Sequence, residues 1–127
     1  MTQELHHFID GKKVKGNSGR FGDVYNPATG EVTKRVPLAS AAETQSAIAA
    51  AAAALPAWAA TPPARRAQVL FKFRELLIRN IDKMAELLSS EHGKTVPDAR
   101  GSVTRGVEVV EFACGIPHLL KGEFSEG

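Results

Sequence analysis

The sequence contains a single cysteine, Cys114, so no disulfide can form within the chain, and its composition is compatible with a reducing compartment. Long apolar runs are lacking too. The longest begins at residue 47, is mostly alanine and is far too short to cross a bilayer. Residues 1–7 hold no apolar core of signal-peptide length. We therefore expect a cytoplasmic protein with no membrane partner.

An excess of charge of one sign is also absent. Sixteen Lys and Arg residues face fourteen Asp and Glu residues, and the resulting net charge of +2 argues against a nucleic-acid partner. With 127 residues, the chain can form one domain at most, with a modest core. No two histidines have the i, i+4 spacing of a helical metal site, so none is predicted among His6, His7, His92 and His118.

Residues 1–39 have the composition of short strands and turns. Asp10 and Gly11 favour a tight turn because both residue types tolerate a positive φ. Residues 26–31, Asn-Pro-Ala-Thr-Gly-Glu, favour a second turn, in which the proline presets φ and Gly30 can supply a positive φ. The prediction is an antiparallel hairpin or small meander over residues 1–39.

Three amphipathic helical segments are predicted to follow, over residues 40–60, 61–93 and 95–119. Ser40 and Glu43 have the spacing of a capping box. The fold class of the chain as given is therefore α+β. The apolar faces of the helices need a larger partner surface than this chain supplies. They comprise Ile48, Leu55 and Trp58, then Leu70, Phe73 and Leu77, then Met84, Leu87 and Leu88, and finally Val103, Val107, Val110 and Cys114.

Caps and breakers predict where the helices begin and end. Thr61 is the expected N-cap of the second segment, followed by a proline at the first helical position, and Asn80 marks a break inside that segment. Gly93 suits the left-handed position after the last turn, and Lys94 favours the negative end of the same helix. Pro117 is expected to end the third segment.

Few residues suggest chemistry. The glycines within residues 16–22 follow no buried strand and open no helix, which argues against phosphate binding. Cys114 lies on an apolar helical stripe and is expected to be a buried structural thiol. Arg105 lies between Gly101 and Gly106 and faces away from the valines. There it can bind a carboxylate bidentately, although a solvated or ion-paired arginine is the simpler reading of the residue alone.

Several motifs occur in a characteristic order, namely Phe8-Ile9-Asp10-Gly11, the turn at 26–31, Trp58, Arg65-Arg66-Ala67 with Leu70, and Glu91-His92-Gly93-Lys94-Thr95. Together they resemble the opening of the NAD(P)-dependent aldehyde dehydrogenase family, along essentially the whole chain. Residues 65–73 and 101–113, with the ending at 120–123, further resemble the branch that oxidises malonate or methylmalonate semialdehyde with NAD and coenzyme A.

The resemblance implies that the chain is part of the α/β aldehyde dehydrogenase fold. In that branch an arginine at the position of Arg105 helps to bind the substrate carboxylate, which makes Arg105 the expected substrate-binding residue. The family's catalytic cysteine, general base and NAD contacts lie beyond residue 127. We therefore expect no catalytic residue here, and no cofactor or metal on this segment alone.

Two interpretations stay open. The leading one is the N-terminal part of a dehydrogenase that uses NAD and coenzyme A when complete, is inactive as this segment, and has the remainder of its chain as partner. The alternative is a non-catalytic helical module that associates into a homo-oligomer, or a truncated reading frame without a function.

Overall fold

The computed structural model describes residues 2–123 of the chain. The chain divides into two compact units, Met1–Trp58 and Ala59–Gly127. The first unit contains the strands β1 (Gln3–Glu4), β2 (His7–Ile9), β3 (Lys12–Val14), β4 (Phe21–Tyr25) and β5 (Val32–Pro37), and most of helix α1 (Ala41–Ala60).

Both predicted turns are confirmed. Strands β2 and β3 pair antiparallel around Asp10 and Gly11, which have φ values of 52° and 69°. Strands β4 and β5 also pair antiparallel, and the predicted turn at residues 26–31 connects them. Its glycine, Gly30, has a φ of 73°. In both hairpins, a short stretch of sequence that tolerates left-handed backbone sets the direction of the chain.

The predicted antiparallel hairpin does not account for β1. This strand pairs in parallel with β5, placing Gln3 opposite Lys34 and giving a three-stranded sheet in the order β1-β5-β4. A strand of only two residues shows no alternation that could reveal its pairing. Its partner, β5, also lies far along the chain, so no turn sequence between the two strands indicates that they pair.

The predicted capping box at the start of α1 is confirmed. The Glu43 amide donates to Ser40 Oγ at 3.2 Å, and the Ser40 amide donates to Glu43 Oε2 at 2.8 Å. The Asn17 amide donates to the other carboxylate oxygen at 2.8 Å, which ties the loop before β4 to the first turn of α1. These hydrogen bonds, led by that from the Ser40 backbone, hold the pKa of Glu43 below its usual value.

The second unit is helical, and the two predicted segments at 61–93 and 95–119 each divide in two. The helices are α2 (Pro63–Arg79), α3 (Ile81–His92), α4 (Val96–Cys114) and α5 (Ile116–Leu119). The predicted break at Asn80 is confirmed, and its side-chain amide donates to the Leu76 carbonyl at 2.7 Å. Gly93 caps α3 in the predicted left-handed conformation, with a φ of 85°.

Two helix ends differ from the prediction. The N-cap of α2 is Pro62 and not Thr61, because Pro63 disfavours helical backbone in the preceding residue, and Pro62 has a ψ of 140°. Helix α4 ends at Cys114, before Pro117. A proline cannot donate to the carbonyl one turn upstream and its ring clashes with that carbonyl, so the helix stops earlier and Pro117 enters the first turn of α5.

The buried core of the second unit consists of small side chains. Ala85 and Ala99 are fully buried, whereas large apolar residues of the same unit are exposed, including Phe112 at 71%. Of the predicted apolar faces, Val107 and Cys114 are buried, whereas Phe73 and Leu87 are exposed. Within residues 2–123, no single helix is long and apolar enough to span a membrane. Helices α1 and α2 reach the necessary length and apolar composition only when they are counted together.

Candidate functional site

The expected substrate-binding residue, Arg105, lies in the middle of α4. This helix begins directly after the chain reversal at Gly93, from Thr95, whose ψ of 150° is that of an extended N-cap. Asp98, Ser102 and Arg105 recur at intervals of four and three residues, which places them along one face of α4. That face points away from the buried side of the helix, and Arg105 is exposed.

These residues form a connected polar group with Lys94. Lys94 Nζ lies 2.9 Å from Asp98 Oδ2 and donates to Ser102 Oγ at 2.8 Å. Arg105 Nη2 donates to the same Ser102 oxygen at 3.2 Å. We call Lys94, Asp98, Ser102 and Arg105 the α4 polar cluster. The backbone of Lys94 is held as well, because Ser89 Oγ donates to its carbonyl at 2.7 Å.

The two cations of the α4 polar cluster are compensated differently. The hydrogen bond from Lys94 holds the pKa of Asp98 below its usual value, and the charges of Lys94, Arg105 and His92 act in the same direction against desolvation. The ammonium of Lys94 therefore has an ionised carboxylate as its partner. Lys94 was expected to interact with the negative end of α3, and its ammonium is observed to contact side chains in the first turns of α4.

Arg105, in contrast, forms no ion pair within residues 2–123, and its one hydrogen-bond partner there is a neutral hydroxyl. Glu108, one turn further along α4, is not paired with it. A guanidinium carries five N–H donors, so most of its binding capacity is unused by this part of the chain. The ion-paired arginine considered from the sequence is thus not found among these residues, and the charge is available to an external anion.

The two glycines that flank Arg105 have different surroundings. A Cβ added at Gly101 would lie 3.8 Å from Arg105 Nη1, an ordinary contact distance, and one added at Gly106 would meet nothing within 4 Å among the described residues. Neither glycine is required by packing inside this unit. Both keep open space next to α4, although each costs about 1 kcal/mol of helix stability relative to alanine.

An apolar groove borders the α4 polar cluster. Its volume is about 330 Å³ and its lining is almost entirely hydrophobic. Ser102 belongs to the α4 polar cluster, because its hydroxyl accepts from Lys94 and Arg105, and it also lines the groove. The Arg105 guanidinium therefore lies next to an apolar surface. It is lined by Phe73, Leu77, Met84, Leu88, Ser102, Val103, Gly106 and Val110.

The structure also describes the other residues considered from the sequence. Cys114 is buried, with 7% of its surface exposed, as expected for a structural thiol. No group of three or more potential metal ligands is found within residues 2–123. Of the glycines at 16–22, Gly16 and Gly19 lie between β3 and β4 and Gly22 lies within β4, so they lead into a strand and not a helix. Gly16 instead allows close approach to Pro37, whose ring a Cβ would overlap.

From the sequence, Lys94 is assigned to the end of α3, and neither Asp98 nor Ser102 is assigned a role. A signal was present for Ser102, because it lies one helical turn after Asp98 and one turn before Arg105. The sequence does not indicate the direction of the Lys94 side chain. Lys94 precedes α4, and only the reversal at Gly93 directs its side chain back along the next helix.

Comparisons with known proteins agree with this architecture. The sequence profile of the aldehyde dehydrogenase family matches residues 13–127, and the chain belongs to that family. Within the family it is similar to the malonate-semialdehyde dehydrogenase of Pseudomonas aeruginosa, with 54% identity over 95% of this chain and 24% of the relative. It is also similar to the acylating mitochondrial methylmalonate-semialdehyde/malonate-semialdehyde dehydrogenase of Rattus norvegicus, with 47% identity over 91% of this chain and 22% of the relative.

Solved structures show the same relationship. A structure described as a methylmalonate-semialdehyde dehydrogenase of Sinorhizobium meliloti 1021, complexed with NAD, matches with a TM-score of 0.92 and 57% identity, over 100% of this chain and 26% of that chain. The methylmalonate-semialdehyde dehydrogenase of Oceanimonas doudoroffii matches with a TM-score of 0.90 and 48% identity, over 99% and 25%. The family and fold class predicted from the sequence are confirmed. The chain spans about a quarter of the length of these relatives.

Proposed function

We propose that this chain is the N-terminal part of an NAD-dependent, coenzyme A-acylating dehydrogenase of malonate or methylmalonate semialdehyde, and that Arg105 binds the substrate carboxylate. The supporting observation is the exposed guanidinium of Arg105, which forms no ion pair within residues 2–123, whereas the neighbouring Lys94 pairs with Asp98. A guanidinium presents paired donors that match a carboxylate, so the group suits a substrate with a free carboxylate at one end.

The remaining chemistry of this proposal requires groups from the rest of the enzyme. A thiolate from that part would attack the aldehyde, bound NAD would supply the hydride acceptor, and coenzyme A would supply the thiol that takes up the acyl group, with carbon dioxide lost from the substrate carboxylate. Cys114 is a poor candidate for the thiolate because it is buried on the packed side of α4. The glycine loop between β3 and β4 is a poor match for NAD, because pyrophosphate sites place such glycines between a strand and a helix.

The partner in this proposal is the remainder of the dehydrogenase chain, which would cover the exposed apolar side chains of the helices. We predict that the purified 127-residue chain forms no NADH from malonate semialdehyde, NAD and coenzyme A. NADH formation at a rate proportional to the concentration of this chain would contradict the prediction. The absence of a cofactor on the segment alone and the cytoplasmic location also stay predictions.

The role of Arg105 can be tested in the full-length enzyme that carries these residues. Arg105→Leu should raise KM for malonate semialdehyde roughly 10- to 100-fold, the range for losing hydrogen bonds between charged groups. Its effect on propanal, which lacks the carboxylate, should stay within about twofold. Arg100→Leu is the matched control, because Arg100 lies on the same helix but pairs with Asp82 at 2.9 Å. Equal effects of Arg105→Leu on both substrates would refute the role.

Self-association is the second candidate, and the exposed apolar side chains of the helices favour it. Phe112 and Val109, one helical turn apart on α4, are 71% and 68% exposed and offer apolar surface to a second copy of the chain. Size-exclusion chromatography with native mass spectrometry of the 127-residue chain separates the candidates. A compact homo-oligomer would support the interaction module, whereas a molten or aggregating monomer would support the enzyme part.

A further inference from the structure

Ser102 occupies a central position in the α4 polar cluster. Its hydroxyl oxygen accepts one hydrogen bond from Lys94 Nζ at 2.8 Å and another from Arg105 Nη2 at 3.2 Å. A serine oxygen has two lone pairs, so both are used by these two cations. Ser102 therefore fixes one edge of the Arg105 guanidinium through a group that is itself held in place.

Lys94, the second cation that donates to Ser102, is held in place by contacts of its own. Its side chain is 17% exposed, its ammonium pairs with Asp98 at 2.9 Å, and its carbonyl accepts a hydrogen bond from Ser89. Arg105, by comparison, lies exposed on the helix surface, where a long side chain samples several rotamers. The hydrogen bond to Ser102 reduces this freedom at one defined atom.

The chemical type of the partner matters as much as its position. A carboxylate at position 102 would also orient Arg105, but it would neutralise the guanidinium and compete with an incoming anion. A hydroxyl orients the same group without forming an ion pair with it. Lys94, whose charge is neutralised by Asp98, supports the hydroxyl without offering a competing anion site. Orientation and charge are thus supplied by separate residues.

We infer that Ser102 is a positioning residue that sets the orientation of Arg105 toward the substrate carboxylate, and thereby contributes to selection of carboxylated over plain aldehydes. This inference rests on the proposed role of Arg105. Pre-organisation of a binding group lowers the entropy lost when the ligand binds, so its removal weakens binding of the carboxylated substrate selectively.

The test compares four variants of the full-length enzyme with malonate semialdehyde and with propanal. Ser102→Ala removes the hydroxyl and should raise KM for malonate semialdehyde roughly 3- to 10-fold, the range for one hydrogen bond, with kcat and the kinetics of propanal unchanged. Ser102→Thr retains the hydroxyl and should restore KM. Thr104→Val is the matched control, because that hydroxyl donates to the Arg100 carbonyl and does not contact Arg105. Arg105→Leu is the fourth variant.

The outcomes separate the inference from the function on which it rests. If Arg105→Leu is selective for the carboxylated substrate but Ser102→Ala behaves like the unaltered enzyme, the positioning role is overturned and the proposed function stands. If Ser102→Ala impairs both substrates equally, the hydroxyl has a purely structural role and the inference is again overturned. If Arg105→Leu itself shows no selectivity, the proposed function fails, and the inference fails with it.

Discussion

Replacing Gly16 by alanine tests how closely the loop after β3 packs against β5. A Cβ at Gly16 would overlap Pro37 Cβ and would lie 3.2 Å from Pro37 Cγ and 3.4 Å from His7 Nε2. Gly16 does not have a positive φ, so the backbone itself can accept alanine, and the overlap alone determines the effect. Forcing a methyl group into an occupied site costs about 1–3 kcal/mol. Pro37 is buried and its ring is rigid, so the loop or the strand must move.

Hydrogen exchange in the full-length enzyme measures this local cost. The Leu38 amide, which donates to the Arg20 carbonyl at 2.9 Å, should exchange roughly 5- to 150-fold faster in Gly16→Ala, the ratio that corresponds to that free energy. Gly22→Ala is the matched control. Its Cβ would lie 3.4 Å from Val36 Cγ1, an ordinary contact, so protection should change little. Equal exchange rates in the two variants would refute the assignment of Gly16 to close packing.

Two further predictions concern the start of α1. Ser40→Ala removes the acceptor of the Glu43 amide and should destabilise the first turn by about 1 kcal/mol, measured as faster exchange of that amide; unchanged exchange would contradict the capping box. The pKa of Glu43 is lowered in the folded state, so its carboxylate stabilises α1 fully above the unfolded value of 4.5, and this contribution disappears as pH falls through the lower folded value. An NMR titration of the Glu43 carboxyl group with a midpoint at or above 4.5 would contradict the hydrogen bonds assigned to it.

Features set by neighbouring residues could be predicted from the sequence. The hairpin at Asp10 and Gly11, the capping box at Ser40 and the left-handed end at Gly93 each depend on a few consecutive residues whose backbone preferences are known. Apolar periodicity also identified the face of α4 that carries Val107, which is buried. These elements agree with the structure because no distant contact competes with the local preference.

Features set by residues distant in sequence could not be predicted. The parallel pairing of β1, the hydrogen bond from the Asn17 amide to Glu43, and the ion pair between Arg74 and Glu111 at 2.7 Å all join separate parts of the chain. The start of α2 was missed for a local reason. Two successive prolines compete for the first helical position there, and the rule for the residue before a proline decides between them.

The candidate site was partly predictable. The resemblance identified Arg105, but the partner that orients it depends on where Lys94 points after the chain reversal, which only the folded backbone determines. The absence of an ion pair at Arg105 within residues 2–123 could likewise not be read from the sequence. The sequence places Glu108 one turn away, at a spacing that usually favours an ion pair, and the structure shows no such pair.

The structure of the full-length enzyme with a carboxylated substrate bound tests the role of Arg105 most directly. Both carboxylate oxygens should lie within hydrogen-bond distance of the Arg105 guanidinium, roughly 2.7–2.9 Å, while the bond from Arg105 to Ser102 is retained. A bound substrate whose carboxylate makes no contact with Arg105 would contradict this role.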